Sequence, residues 1–244
     1  MVTIHAPVLM ICTTFNFPNE LAKTLPCIIN AVSNRSDTQC VIIDNHSKDP
    51  AVHQQLDAVN HPNIAVLKNT INQGKAIAVN AFLAQYVTTH NCPHILISMD
   101  PDLVFDTQSF DDLVACLNTV PNLGMLSMRY KKNAYNPERS VWRPSQKFTG
   151  IDGQVYWIRR PVFANVPGGF FGVQGYVLHY YLNYKLFPQT KNTANFNKGY
   201  IQRAGSDDAY LYDYLKKYSL TQGYLEGTQI EHLKSPPQTK NYIR

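Results

Sequence analysis

Asp100 and Asp102 stand one residue apart in Ser98-Met-Asp-Pro-Asp102, directly after an apolar run. Two carboxylates held at one edge repel each other unless a divalent cation or hydrogen-bond donors share their charge, so the pair is a candidate site for Mn²⁺ or Mg²⁺. The competing reading is a turn at Pro101 whose aspartates cap the following loop. His232, near the end of Glu226-Gly-Thr-Gln-Ile-Glu-His232, can complete an oxygen-rich site as a neutral imidazole, or it can be structural. Ser206-Asp207-Asp208 precedes a helical stripe of Leu211 and Leu215. Ser206 or Asp207 suits the helix cap, and a carboxylate of the pair suits a general base that takes a proton from an attacking hydroxyl. Asn72-Gln73-Gly74-Lys75 can bring backbone amides and a lysine to a diphosphate at the positive end of a helix, or simply start one. It is no Walker loop, because the second glycine and the Gly-Lys-Ser/Thr arrangement are missing.

These residues need a scaffold that brings them to one edge. Val8 to Phe15 is an apolar run that turns polar, as a buried strand does where its carboxyl end opens. Leu21, Leu25, Ile28, Ile29 and Val32 recur at helical spacing, and Pro26 with Thr24 before it predicts a regular helix starting there. Further strands are expected at Cys40–Asp44, Ile64–Leu67, His94–Asp100 and Leu123–Met128. Helices are expected at Ala51–Val59, from Gly74-Lys75 to about Val87, and from Ser109 with Asp111 and Asp112 in its first turn. Strands alternating with helices imply an α/β fold with a mainly parallel, doubly wound sheet, in which ligands bind beyond the carboxyl ends of the strands. Thr13, Thr14, Asp44, Asn45, Asp100 and Asp102 all fall at such ends. Lys131 to Gly150 is polar and basic and reads as a loop able to serve as a lid.

With 244 residues, 44% of them hydrophobic, the chain has enough apolar material for one large domain, 1–244. Residues 1 to about 130 carry the regular pattern, and 131–244 form a smaller, aromatic-rich subregion. The five cysteines are odd in number and lack a CxxC pair, which points to reduced thiols and a cytoplasmic setting. No leader and no run of about 18 apolar residues is seen, so a transmembrane segment is not expected, while peripheral contact with a membrane remains compatible. The net charge of +5 permits attraction to phosphates, anionic lipid or nucleic acid without choosing among them.

Taken in order, Thr13-Thr-Phe-Asn16, Val41-Ile-Ile-Asp-Asn-His-Ser47, Asn69 to Asn80 around Gln73-Gly74-Lys75, Ser98-Met-Asp-Pro-Asp102 and Ser206-Asp-Asp208 resemble glycosyltransferase family 2. The resemblance implies a GT-A, Rossmann-like fold and an inverting transfer from a nucleoside-diphosphate sugar, with a UDP-sugar favoured. It implies that Thr13, Thr14, Asn16, Asp44 and Asn45 belong to the donor-nucleotide site, that Gln73, Gly74 and Lys75 line it, and that Asp100 approaches the ribose. Asp102 and His232 would bind the metal. The base would be Asp208 with Asp207 in support, although this chain has Asp-Asp where the family usually has Glu-Asp. The processive members' Gln-x-x-Arg-Trp motif is missing, which implies transfer of single sugars.

The acceptor expected from such a family is a saccharide or lipid-linked glycan. Arg129, Lys131, Lys132, Arg139, Arg143, Lys147, Arg159 and Arg160 lie between the donor motifs and the base, either as a solvated face or as a surface for an anionic acceptor, including a modified nucleic acid. Phe170 to Gly175, with Trp142, Tyr156 and Trp157, falls where donor-sugar and acceptor surfaces are expected, with core packing as the alternative. Competing functions are a nucleotidyltransferase, whose glycine-rich loop after the first strand is lacking, and a nucleotide-sugar-binding module without turnover.

Overall fold

The computed structural model describes residues 5–131, 143–160, 169–187, 211 and 214–233. Among the described residues, ten strands form one sheet. Strands β1 (Val8–Thr14), β2 (Thr38–Asp44), β3 (Ile64–Lys68) and β4 (Ile95–Met99) run parallel in the order β3-β2-β1-β4. After the short β5 (Leu103–Phe105) come β6 (Leu123–Tyr130), β7 (Gln146–Thr149), β8 (Val155–Arg159), β9 (Phe170–Gln174) and β10 (Thr221–His232). They continue the sheet as β9-β6-β10-β8-β7. Helices α1 (Pro18–Ser33), α2 (Pro50–Asp57), α3 (Lys75–Tyr86) and α4 (Thr107–Thr119) cover the two faces, with a π-helical turn at Val177–Tyr181.

Every residue of β1 is buried, which is why it reads as an unbroken apolar run. Its period of two divides it between two cores: Val8, Met10 and Cys12 pack with α1 and α4, whereas Leu9 and Ile11 pack with α3 and the π-helical turn. Cys12, Cys40 and Cys116 are free and buried, and burial pushes all three thiols up. No described helix is long and apolar enough to cross a membrane.

Several local expectations are corrected. Helix α1 begins at Pro18, and Pro26 lies inside it, because Pro18 at the first helical position starts the turn and the stripe of Leu21, Leu25 and Ile28 buries onto the sheet regardless. Thr24 therefore caps nothing. Fully buried, it donates its hydroxyl to the carbonyl of Pro101 at 2.7 Å, tying α1 to the loop after β4. Helix α4 is capped by Asp106, which accepts from the backbone N–H and hydroxyl of Ser109, while Asp111 instead pairs with Arg35 at 3.0 Å. Phe170–Gln174 is β9, wholly buried and antiparallel between β4 and β6, so core packing accounts for Phe170 and Phe171. Part of the expected basic loop is strand β7, hairpin-paired with β8, which carries Tyr156 and Trp157. Trp142 lies outside the described residues.

The end of β10 decides where its last residues go. A bulge between Leu225 and Gln229, with Gly227 at φ 86°, breaks the register with β6 and lets β10 pair antiparallel with β5, setting His232 opposite Leu103.

Replacing Thr24 by valine keeps the shape but leaves the buried Pro101 carbonyl without its donor. The expected cost is about 1–3 kcal/mol. The expected readout is a fall in Tm of several degrees by calorimetry; an unchanged Tm would show that this bond does not hold the loop.

Candidate active site

The loop that follows β4 is held on four sides. The backbone N–H of Asp100 donates to the carbonyl of Gly169 at 2.7 Å, just before β9, and Thr24 holds Pro101. The N–H of Leu233 donates to the carbonyl of Asp102 at 2.7 Å, so the end of β10 is fastened to the same loop. On the fourth side Lys75, the first residue of α3, reaches Asp100 Oδ1 with its ammonium at 2.6 Å. Gly74, before it, takes φ 77°, a conformation that glycine adopts without strain.

The two carboxylates are compensated differently. Asp100 has the lysine. Asp102 has His232, whose Nε2 lies 3.2 Å from Oδ2, a neighbour supplied by the β5–β10 register. The other oxygen, Oδ1, is buried and has no hydrogen-bond partner among the described residues. Burial, then the charge of Asp100, push the Asp102 carboxyl up to about 6, while His232 pulls the other way. Tyr130, at the end of β6, stands with its ring 6.2 Å from that of His232. A Cβ on Gly169 would meet the Tyr130 hydroxyl at 2.5 Å and Asp100 Oδ2 at 3.3 Å, so only glycine lets these groups close together.

These residues fit a small, hard cation. A buried carboxylate oxygen lacking a partner, an imidazole beside it and a second carboxylate whose repulsion a cation would relieve are what an oxygen- and nitrogen-seeking ion needs. Among the described residues no group of three or more His, Cys, Asp or Glu side chains is arranged to hold an ion unaided.

Along the same edge, the hydroxyls of Thr13 and Thr14 at the end of β1 are buried without hydrogen-bond partners among the described residues. Asp44, buried at the end of β2, accepts from the N–H of Ser47 at 2.9 Å and has His53 Nδ1 3.5 Å from its other oxygen. Asn45 donates to Asn72 at 2.6 Å and accepts from Asn69 at 3.0 Å and from the N–H of Gln73 at 3.3 Å, which fixes the loop that delivers Gly74 and Lys75. Asn16, at φ 55°, takes the N–H groups of Lys48 and Asp49 on its carboxamide oxygen. Both asparagines thus bracket loops together. Asp207 and Asp208 lie outside the described residues.

The structure therefore brings together Lys75, Asp100, Asp102 and His232, with Thr13, Thr14, Asp44 and Asn45 at neighbouring strand ends. Three contributors went unread in the sequence. Tyr130 ends an apolar strand and looks like more of it; Gly169 has no local motif; Thr24 looked like a helix cap. Only the shared hydrogen bonds and contacts reveal them.

Among proteins of known structure, the chain is similar to the mannosyltransferase PcManGT from Pyrobaculum calidifontis in complex with GDP-Man and Mn²⁺. The TM-score is 0.62 at 16% identity, covering 98% of this chain and 61% of that one. It is also similar to S. aureus TarS residues 1–349 in complex with UDP-GlcNAc, with a TM-score of 0.60 at 13% identity, covering 97% of this chain and 61% of that one. The chain thus spans about three-fifths of the length of these neighbours, and at such identities the likeness shows a shared fold. No curated protein sequence matches significantly. The family model described as Glycosyl transferase family 2 matches residues 10–203, a span that contains the first four of the five motifs named above and ends before Ser206-Asp-Asp208. On that match, the chain belongs to glycosyltransferase family 2.

Proposed function

We propose that this chain transfers a single sugar from a nucleoside-diphosphate sugar, with a UDP-sugar favoured, onto an acceptor hydroxyl with inversion at the anomeric carbon. The observation that carries the reading is the compensated carboxylate pair, with Asp100 on Lys75 and Asp102 on His232, at the carboxyl edge of a parallel sheet in a chain of this family. The neighbours' complexes with GDP-Man and Mn²⁺ and with UDP-GlcNAc support a nucleotide-sugar donor. Residues up to about 130 serve the nucleotide sugar and residues 131–244 serve the acceptor and the catalytic base. The acceptor is a saccharide or lipid-linked glycan, and five unpaired cysteines suit a cytoplasmic setting.

Asp102 and His232 would hold Mn²⁺ or Mg²⁺, which when bound neutralises charge growing on the departing diphosphate. The chain's own groups do the rest. Thr13, Thr14 and Asp44 receive the nucleoside at the ends of β1 and β2, where unpartnered hydroxyls lack hydrogen bonds that a ligand can supply. Lys75, at the positive end of α3, keeps Asp100 in place and adds positive charge beside the diphosphate. Asp208, with Asp207 beside it, takes the proton from the acceptor hydroxyl, whose oxygen attacks the anomeric carbon as the nucleoside diphosphate leaves.

Thermal melting with UDP-, GDP-, dTDP- and CMP-sugars, with and without Mn²⁺, tests the site. One donor should raise Tm in a metal-dependent way, and Asp102→Asn should lose that rise; no shift with any donor contradicts the transferase reading. Asp208→Asn should keep the donor-induced shift while transfer and slow donor hydrolysis fall by at least about 100-fold, as removal of a general base does. Equal loss of donor binding in both variants would refute the separate roles given to the two carboxylates.

A further inference from the structure

Asp44 ends a strand in a turn that does not hold itself. From β2 the chain passes through Asn45 and His46 to Ser47, and His46 takes φ 70°, which a residue with a Cβ adopts at a cost. Ser47 is then fixed at three atoms. Its N–H donates to Asp44 Oδ1 at 2.9 Å, its Oγ accepts the N–H of Asn16 at 3.0 Å, and its carbonyl accepts from His53 Nε2 at 3.0 Å. The first bond stays within the turn and the second comes from another loop. The third comes from a helix.

That helix, α2, is a firm support. It starts at Pro50, is capped by Asp49, whose carboxylate accepts from the N–H of Ala51 at 2.9 Å, and buries Val52 and Leu56 in the core. Gln55 ties it to α1 by donating to the carbonyl of Pro18 at 2.9 Å. The half-buried ring of His53 reaches both ends of the turn. A carbonyl only accepts, so Nε2 carries the proton given to Ser47, while Nδ1 lies 3.5 Å from Asp44 Oδ2. The second distance is too long for a good hydrogen bond. Ser47 thus takes one carboxylate oxygen, and His53 stands beside the other without using it up.

Resting on the reading that Asp44 receives the nucleobase, we propose that His53 is a positioning residue for base recognition. Acting through Ser47, it fixes the rotation of the Asp44 carboxylate and so sets which bases the site accepts. A carboxylate only accepts hydrogen bonds. Uracil and guanine offer it a ring N–H, whereas cytosine has a lone pair at the matching nitrogen, and a carboxylate that cannot turn aside rejects it. The diphosphate takes no part in this contact, so the effect falls on the base alone.

The test is isothermal titration calorimetry of the full chain with UDP, GDP and CDP in the presence of Mn²⁺. The wild type should bind UDP or GDP more tightly than CDP. His53→Ala and His53→Phe should each weaken the preferred nucleotide about fivefold or more, as loss of one hydrogen bond does, and leave CDP within about twofold, so that the preference narrows. His53→Gln places an amide nitrogen near the position of Nε2 and should restore most of the preference. Phenylalanine keeps a ring without a donor, which separates the bond to Ser47 from packing. Unchanged affinity in the alanine and phenylalanine variants, equal weakening of all three nucleotides, or no rescue by glutamine would each overturn the proposal. The reading beneath it is tested apart: Asp44→Asn should abolish the preference for a ring N–H. A preference that survives in that variant would refute Asp44 as the base contact, and the role of His53 with it.

Discussion

Two carboxylates separated by one residue at the end of a buried strand repel each other, and much of this molecule is arranged to make that repulsion tolerable. Asp100 is answered by an ammonium from the first residue of α3, and Asp102 by an imidazole from the last residue of β10. Neither partner is near in sequence. Lys75 depends on Gly74 adopting a positive φ and on Asn45 holding the preceding loop, and His232 depends on a bulge that shifts the register of β10 against β6 before its other side pairs with β5. The compensation is incomplete: among the described residues nothing hydrogen-bonds one buried oxygen of Asp102, and burial beside Asp100 raises the affinity of its carboxylate for protons.

The loop's backbone is constrained as firmly as its side chains. Hydrogen bonds to Gly169, from Thr24 and from Leu233 fix Asp100, Pro101 and Asp102 in turn, so α1, β9 and β10 all converge on three residues. Positions held this way need little rearrangement when a ligand arrives, and preorganised charge is worth most in a site shielded from water. The antiparallel β9 has a double part here: it fills the sheet between β4 and β6, and its approach through Gly169 brings Tyr130 up to the carboxylates.

Much of this was readable before any coordinates. Apolar runs ending in polar residues located β1, β2, β4 and the strand-end residues Thr13, Thr14, Asp44 and Asp100, because a strand covered on both faces leaves that signature. What failed to show was whatever depends on partners distant in the chain. Pro26 was read as a start although packing carries α1 straight through it, and Phe170–Gln174 was left open between a site surface and core packing, which the burial of both faces of β9 decides for the core. The three-residue β5 is too short to announce itself, yet it positions His232. Thr24 and Gly169 act through one hydroxyl and one missing Cβ, features with no periodicity to detect. His232 itself was located by its resemblance to a family pattern, and the register of β10 supplies the physical reason.

The most direct test of this account is a crystal structure of the full chain grown with Mn²⁺ and the nucleoside diphosphate it binds, with the ion located by its anomalous scattering. The account predicts one Mn²⁺ within coordination distance of both Asp102 and His232, bridged to the diphosphate, with the nucleoside at the ends of β1 and β2. A diphosphate bound at that edge with the ion touching neither residue, or a nucleotide bound elsewhere on the molecule, would contradict it.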